Sequence, residues 1–186
     1  MKYYIEPLDK SHVPLFDDFK AYEDEENDYF NNYLRMNGLL DQKQGIAKTY
    51  LYIKENKEKK EILGFYSLRA SSLIIDIEDA REGQPAIEIY EFAVRYNHQK
   101  KGVGKKLMMD AIARIVGISF EIGVKHIIVA AKEDAVGYYK RYKFAEIPFY
   151  KKIISTVDNS GCVGMYLPLN VESSNDLFYT DSNIKH

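Results

Sequence analysis

The chain has 186 residues, 46% hydrophobic and 29% charged, a balance that suits one compact globular domain and excludes a disordered or fibrous polymer. No apolar run approaches the roughly 18 residues needed to cross a bilayer, and the start Met1-Lys2-Tyr3-Tyr4-Ile5-Glu6 has no signal-like apolar stretch, so the cytoplasm is the expected compartment. A formal net charge of −2 gives no global pull toward nucleic acid, and the single cysteine, Cys162, leaves no intrachain disulfide and no cysteine-rich metal site; no metal is expected.

Tyr3 to Ile5 reads as a short first strand, followed by a helix from about Ser11 to Phe19 with Ser11 as its cap. The acidic run Glu23-Asp24-Glu25-Glu26 interrupts the pattern. Phe30, Tyr33, Leu34 and Leu40 recur at helical spacing, which predicts a second helix from Asn27 to about Gln44, stopped by Gly45. Thr49–Lys54 and Ile62–Ala70 are rich in branched and aromatic residues and flank the polar stretch 55–60, a hairpin. Gly83-Gln84-Pro85 reads as a looser connection. Ile87–Val94 is the clearest strand, with Ile87, Ile89, Phe92 and Val94 apolar.

From Val103, the residues Leu107, Ala111, Ile115, Ile118 and Ile122 step three or four apart, which defines a long amphipathic helix ending at Gly123. His126–Ala131 reads as a buried strand, Asp134 as the cap of a helix reaching about Lys143, and Phe144–Ile154 and Val163–Leu169 as two last strands. The expected organisation is α/β, one domain over residues 1–170 and a polar tail over 171–186.

The turn Gln99-Lys100-Lys101-Gly102-Val103-Gly104 follows the clearest strand and opens the longest helix. Such a helix start leaves backbone N–H groups unpaired and carries the positive end of the helix dipole, the combination that binds phosphate. Gly102 and Gly104 allow close backbone approach, and Lys100, Lys101 and Lys105 add charge for more than one phosphate. A Walker loop does not fit, because Lys106 follows Gly104-Lys105 where Ser or Thr is needed. A dinucleotide fingerprint does not fit either, because Leu107 replaces its third glycine.

Phe92-Ala93-Val94, four loop residues and then the glycine turn resemble motif A of the GNAT acetyltransferase family, written Q/R-x-x-G-x-G/A. Ala135-Val136-Gly137-Tyr138-Tyr139-Lys140-Arg141-Tyr142-Lys143-Phe144 is similar to a second motif of that family, A-x-x-F/Y-Y-x-x-x-G-F, with Lys143 where glycine is usual. The resemblance implies a GNAT fold: a mixed central sheet of about six to seven strands flanked by helices. It implies an acetyl-CoA-dependent N-acetyltransferase, with the CoA pyrophosphate on the amides of residues 99–104 and the pantetheine arm along Phe92, Ala93 and Val94.

Acyl transfer to a primary amine needs an oxyanion donor, a route for the amine proton and an acid for the departing sulfur. The resemblance assigns these to the backbone N–H of Val94, to Glu88 and to Tyr139 respectively; a phenol of ordinary pKa near 10 stays protonated at neutral pH. Strict alternation puts Glu88, Tyr90, Phe92 and Val94 on one face and Glu91 on the other; a bulge would exchange the faces, so Glu91 is the alternate base.

For the acceptor, Tyr22, Glu23, Asp24, Glu25, Glu26, Tyr29 and Tyr33 suit a small cationic amine or a protein amine. A second reading comes from Asn27–Leu34, Lys48-Thr49-Tyr50-Leu51, Gly64-Phe65-Tyr66-Ser67-Leu68 and Met165-Tyr166-Leu167-Pro168-Leu169, which look like the toxin-type acetyltransferases that modify aminoacyl-tRNA. Only that reading calls for nucleic acid. A third is a non-catalytic acyl-CoA sensor; a homodimer and an antitoxin partner stay open.

Overall fold

The computed structural model describes residues 1–23, 29–77, 80–147 and 161–169. The chain divides into two units, residues 1–70 with 88–113 and residues 71–87 with 114–186.

In the first unit the strands lie in the order β1 (Lys2–Pro7), β2 (Lys48–Glu55), β3 (Lys60–Ile77) and β4 (Ala80–Val94); β3 and β4 extend into both units. β1 and β2 run antiparallel, as do β2 and β3. The segment expected as a helix from Ser11 is instead a short 3-10 helix, Lys10–Leu15. Its cap is Asp9, whose carboxylate accepts the Ser11 N–H at 2.7 Å. Pro14, which has no N–H to donate, keeps the segment from becoming a regular helix.

The second helix begins within the expected range and ends where Gly45 takes a left-handed φ of 73°. It is made of α1 (Tyr29–Asn32), a wide π turn (Tyr33–Gly38) and α2 (Leu39–Gln44). Its apolar side closes one face of the sheet. Tyr33 stacks on Phe65 with centroids 5.9 Å apart, Phe19 meets Phe65 at 5.6 Å, and Leu34, Leu51, Ile53, Ile62 and Ala93 complete the cluster.

At Gly64 a Cβ would stand 2.6 Å from the Ala93 carbonyl oxygen and 2.8 Å from Leu107 Cδ1, so only glycine lets the end of β4 and the following helix come this close. Gly64→Ala is expected to destabilise the protein by about 2 kcal/mol or more, read by denaturant unfolding, because backbone as well as a side chain must give way.

The second unit holds the end of β3, the start of β4, then β5 (His126–Lys132), β7 (Cys162–Pro168) and β6 (Ala145–Glu146), in that order. β5 and β7 are antiparallel from His126↔Pro168 to Lys132↔Cys162, with Cys162 half-buried at the end of the ladder. Leu73, Ala86 and Ile128 form its cluster with Ile147 and Tyr166. Gly83-Gln84-Pro85 is not a loop but lies inside β4. Gln84 is buried there because its side-chain oxygen meets His126 Nε2 at 2.6 Å, which removes the cost of burying an amide.

α3 (Val103–Ser119) stops before the expected Gly123. The Ser119 hydroxyl donates to Val116 C=O at 2.7 Å, and the next amides make shorter-range bonds, Phe120 to Gly117 and Glu121 to Ile118, that tighten the chain out of the helix. Asp134 does not cap a long helix: residues Glu133–Ala135 form a 3-10 turn and α4 is only Val136–Lys140, with no side-chain cap. Of the strand expected at Phe144–Ile154, β6 is the described part; residues 148–160, the acidic residues 24–26 and the tail beyond Leu169 lie outside the described residues.

Candidate active site

The glycine turn belongs to the first unit and is built from the exit of β4. Arg95 N–H donates to Leu63 C=O of β3 at 2.8 Å. Successive amides of a strand point to opposite edges, so the Val94 N–H faces the edge away from β3. The Gln99 side chain donates to Ala21 C=O at 3.0 Å and Val94 C=O at 3.3 Å, tying the turn back to the strand end. Lys101 Nζ donates to Asn97 C=O at 2.9 Å.

Two residues of the turn take left-handed backbone, Lys100 at φ 59° and Gly102 at φ 85°. Nothing lies within 4 Å of a Cβ built on Gly102. Lys106 N–H donates to Gly102 C=O at 3.1 Å in the first turn of α3, so the turn leads directly into the helix start. An open bend, a helix start and Lys100, Lys101 and Lys105 on one short segment fit the diphosphate of acetyl-CoA. Bound there, acetyl-CoA supplies an activated acyl carbon.

Glu88 and Glu91 of β4 lie in the same unit as the turn, and their arrangement differs from strict alternation. Glu88 Oε2 accepts from Arg69 Nε at 2.8 Å, and the Arg69 guanidinium lies 3.9 Å from the centroid of Tyr90. Tyr90 meets Tyr33 edge to face at 6.0 Å. Glu91 accepts from the Tyr29 hydroxyl at 2.6 Å, and Ala93 belongs to the cluster around Phe65. Residues 88, 90, 91 and 93 therefore all find partners on the helix-covered side of the sheet. The period of two breaks between Tyr90 and Glu91, which brings Glu91 to the face that alternation reserves for Glu88.

The two carboxylates differ in environment. Glu88 is committed to an ion pair with Arg69. Glu91 is 5% exposed, and burial pushes its carboxyl up to about 7; Tyr29 and Arg69 pull it down, while the charges of Glu88 and Asp41 raise it further. For Arg69 the sequence carries one signal, a cation at the parity of Phe65 and Ser67 in an apolar strand; nothing in the sequence pairs Tyr29 with Glu91.

Of the acceptor cluster read from the sequence, Tyr22, Glu23, Tyr29 and Tyr33 are among the described residues. Tyr33 is buried in the core at 2% exposure, Tyr22 stacks on Phe30 at 5.9 Å, and the Glu23 carboxylate accepts from the Tyr96 hydroxyl at 2.8 Å.

Tyr139 belongs to the second unit. It is buried on α4, with its ring 5.7 Å from Phe144 and 5.4 Å from Tyr138. The position where the motif has glycine is filled by Lys143 at φ 65°, and Phe144 N–H returns to Tyr139 C=O at 3.4 Å. The helix exit is made, with lysine in a left-handed conformation. Lys143→Gly is therefore expected to stabilise the fold by about 0.5–1 kcal/mol in thermal unfolding.

The sequence model of the acetyltransferase (GNAT) family matches residues 10–144. A tRNA-acetylating toxin of Mycobacterium tuberculosis is 28% identical over 125 residues, covering 63% of this chain and 73% of that protein. Among solved structures, AtaT complexed with acetyl-methionyl-tRNAfMet superposes with a TM-score of 0.75 at 19% identity, over 96% of this chain and 100% of that one. A tyrosine-to-phenylalanine mutant of KacT gives 0.75 at 17% identity, over 96% of this chain and 100% of that one. The seven strands and flanking helices agree with this fold. The chain belongs to the acetyltransferase (GNAT) family and is an acetyl-CoA-dependent N-acetyltransferase.

Proposed function

We propose that the chain transfers the acetyl group of acetyl-CoA to the α-amine of an aminoacyl-tRNA, with Glu91 as general base, the Val94 N–H as oxyanion donor and Tyr139 as general acid. The acetyl donor is held by the Val94 strand end and the 99–105 turn. Residues 1–170 act as one catalytic domain in this reading, consistent with the family match over 10–144 and the end of β7 at Pro168.

The observation that carries the acceptor class is the likeness to the tRNA-acetylating toxin of M. tuberculosis, which puts the aminoacyl reading ahead of the cationic-amine one. Glu91, a buried carboxyl raised by desolvation and held by the Tyr29 hydroxyl, is suited to take the proton of such an amine. The likeness to the M. tuberculosis toxin and the stretches at 27–34, 48–51, 64–68 and 165–169 support tRNA as the carrier of that amine. A charged-tRNA acceptor also places the enzyme in the cytoplasm.

CoA release measured with a mixed pool of aminoacyl-tRNA, a peptide with a free N-terminus and spermidine tests this reading. Turnover is expected on charged tRNA, weakening as salt rises because the phosphates of the acceptor must be neutralised. Turnover on spermidine with none on charged tRNA would contradict it.

A further inference from the structure

Tyr29 sits at the first position of α1, 62 residues from Glu91 in sequence, and its hydroxyl reaches the carboxylate at 2.6 Å. The side chain is 54% exposed, whereas Glu91 is 5% exposed. An exposed aromatic that turns its hydroxyl onto a buried carboxylate contributes little packing, apart from an edge contact with Phe30 at 5.4 Å. We propose that Tyr29 is a positioning residue for the reaction: its hydroxyl fixes Glu91 Oε1, so that Oε2 is the oxygen turned to the incoming amine. The inference rests on Glu91 being the base.

The step it serves is balanced. The ammonium of the acceptor gives a proton to Glu91 Oε2, leaving a neutral amine and a carboxylic acid. The amine lone pair then forms the N–C bond as the C–S bond breaks; the electron pair leaves on sulfur, which takes the proton of the proposed acid Tyr139, and the second proton on the newly acylated nitrogen is lost to water, from which the phenol is reprotonated. The Tyr29 O–H donates throughout and is not consumed.

The groups that act on Glu91 are Tyr29 from α1, Asp41 from α2, Arg69 from β3 and Glu88 on its own strand, with Tyr33 and Tyr90 beside it. Of these, Tyr29 and Arg69 favour the ionised form. Arg69 is already bound to Glu88. Removing the Tyr29 hydroxyl therefore makes the carboxylate harder to ionise, and the acidic limb of the rate profile moves to higher pH.

The test compares wild type, Tyr29→Phe, Glu91→Gln and the Tyr29→Phe/Glu91→Gln double variant from pH 5.5 to 8.5, following radiolabelled acetyl transfer to a mixed aminoacyl-tRNA pool. Tyr29→Phe is expected to shift the acidic limb upward by about one unit, with most of the rate regained at the alkaline end. A second readout needs no acceptor: the pH at which the melting temperature of each Glu91 protein departs from that of its Glu91→Gln counterpart should shift in the same direction. If Glu91→Gln is inactive and the Tyr29→Phe profile is unshifted, or lowered equally at every pH, Tyr29 has no positioning role and the inference is overturned while the base assignment stands. If Glu91→Gln keeps full activity, the base assignment itself fails.

Discussion

Tyr139→Phe is expected to lower acetyl transfer on the order of 10²-fold or more while leaving acetyl-CoA affinity nearly unchanged. A thiolate leaving group has a pKa near that of cysteine, about 8.5, so at neutral pH its expulsion is aided by a proton delivered as the C–S bond opens. The phenol is the donor in the proposed mechanism. Phenylalanine keeps the ring against Phe144 and Tyr138, so the loss in stability is expected to stay near 1 kcal/mol. Single-turnover rates with acetyl-CoA and charged tRNA, set beside a calorimetric titration of acetyl-CoA, separate the two effects. An unchanged rate would remove Tyr139 from the chemistry.

Glu91→Gln is expected to act on activity and stability in opposite directions. Transfer falls by about 10²-fold or more at every pH, because an amide cannot take the amine proton. Stability rises at alkaline pH. The folded-state carboxyl, raised to about 7 from the ordinary 4.5, binds a proton that the unfolded chain has already lost between those values. Wild-type stability attributable to this group is therefore fully present below about pH 4.5 and is lost as the pH climbs to about 7. At pH 8 the buried anion costs up to about 3 kcal/mol, which the glutamine removes while its side-chain oxygen still accepts from Tyr29. Urea unfolding of both proteins at pH 5 and pH 8 checks this: the gap should be wide at pH 8 and narrow at pH 5. A gap that does not depend on pH would mean that Glu91 ionises like an exposed carboxylate.

The features legible in the sequence are those that local chemistry fixes. Gly102, at φ 85°, marks a bend before a helix start because few other residues permit that backbone, and Gly45 marks a helix end for the same reason. The Tyr139 motif was legible even with Lys143 in place of glycine, since lysine can enter the left-handed region at modest cost. What escaped was set by tertiary contact. The break between Tyr90 and Glu91 carries no residue signal, and it brings Glu91 onto the same helix-covered face as Glu88. Gln84 reads as part of a loop until His126 is seen to satisfy it. Asp9 outcompetes Ser11 as a cap through a carboxylate whose geometry shows only once the chain is folded.

In the proposed reaction the acetyl group ends on the nitrogen of a tRNA-borne amino acid. Incubating the enzyme with acetyl-CoA and aminoacyl-tRNA, digesting the RNA with nuclease and identifying the 3′-terminal product by mass spectrometry shows whether it does. N-acetyl-aminoacyl-adenosine that is absent from the Tyr139→Phe reaction is the predicted result. Unmodified aminoacyl-adenosine under conditions where the same preparation acetylates a free amine would contradict it.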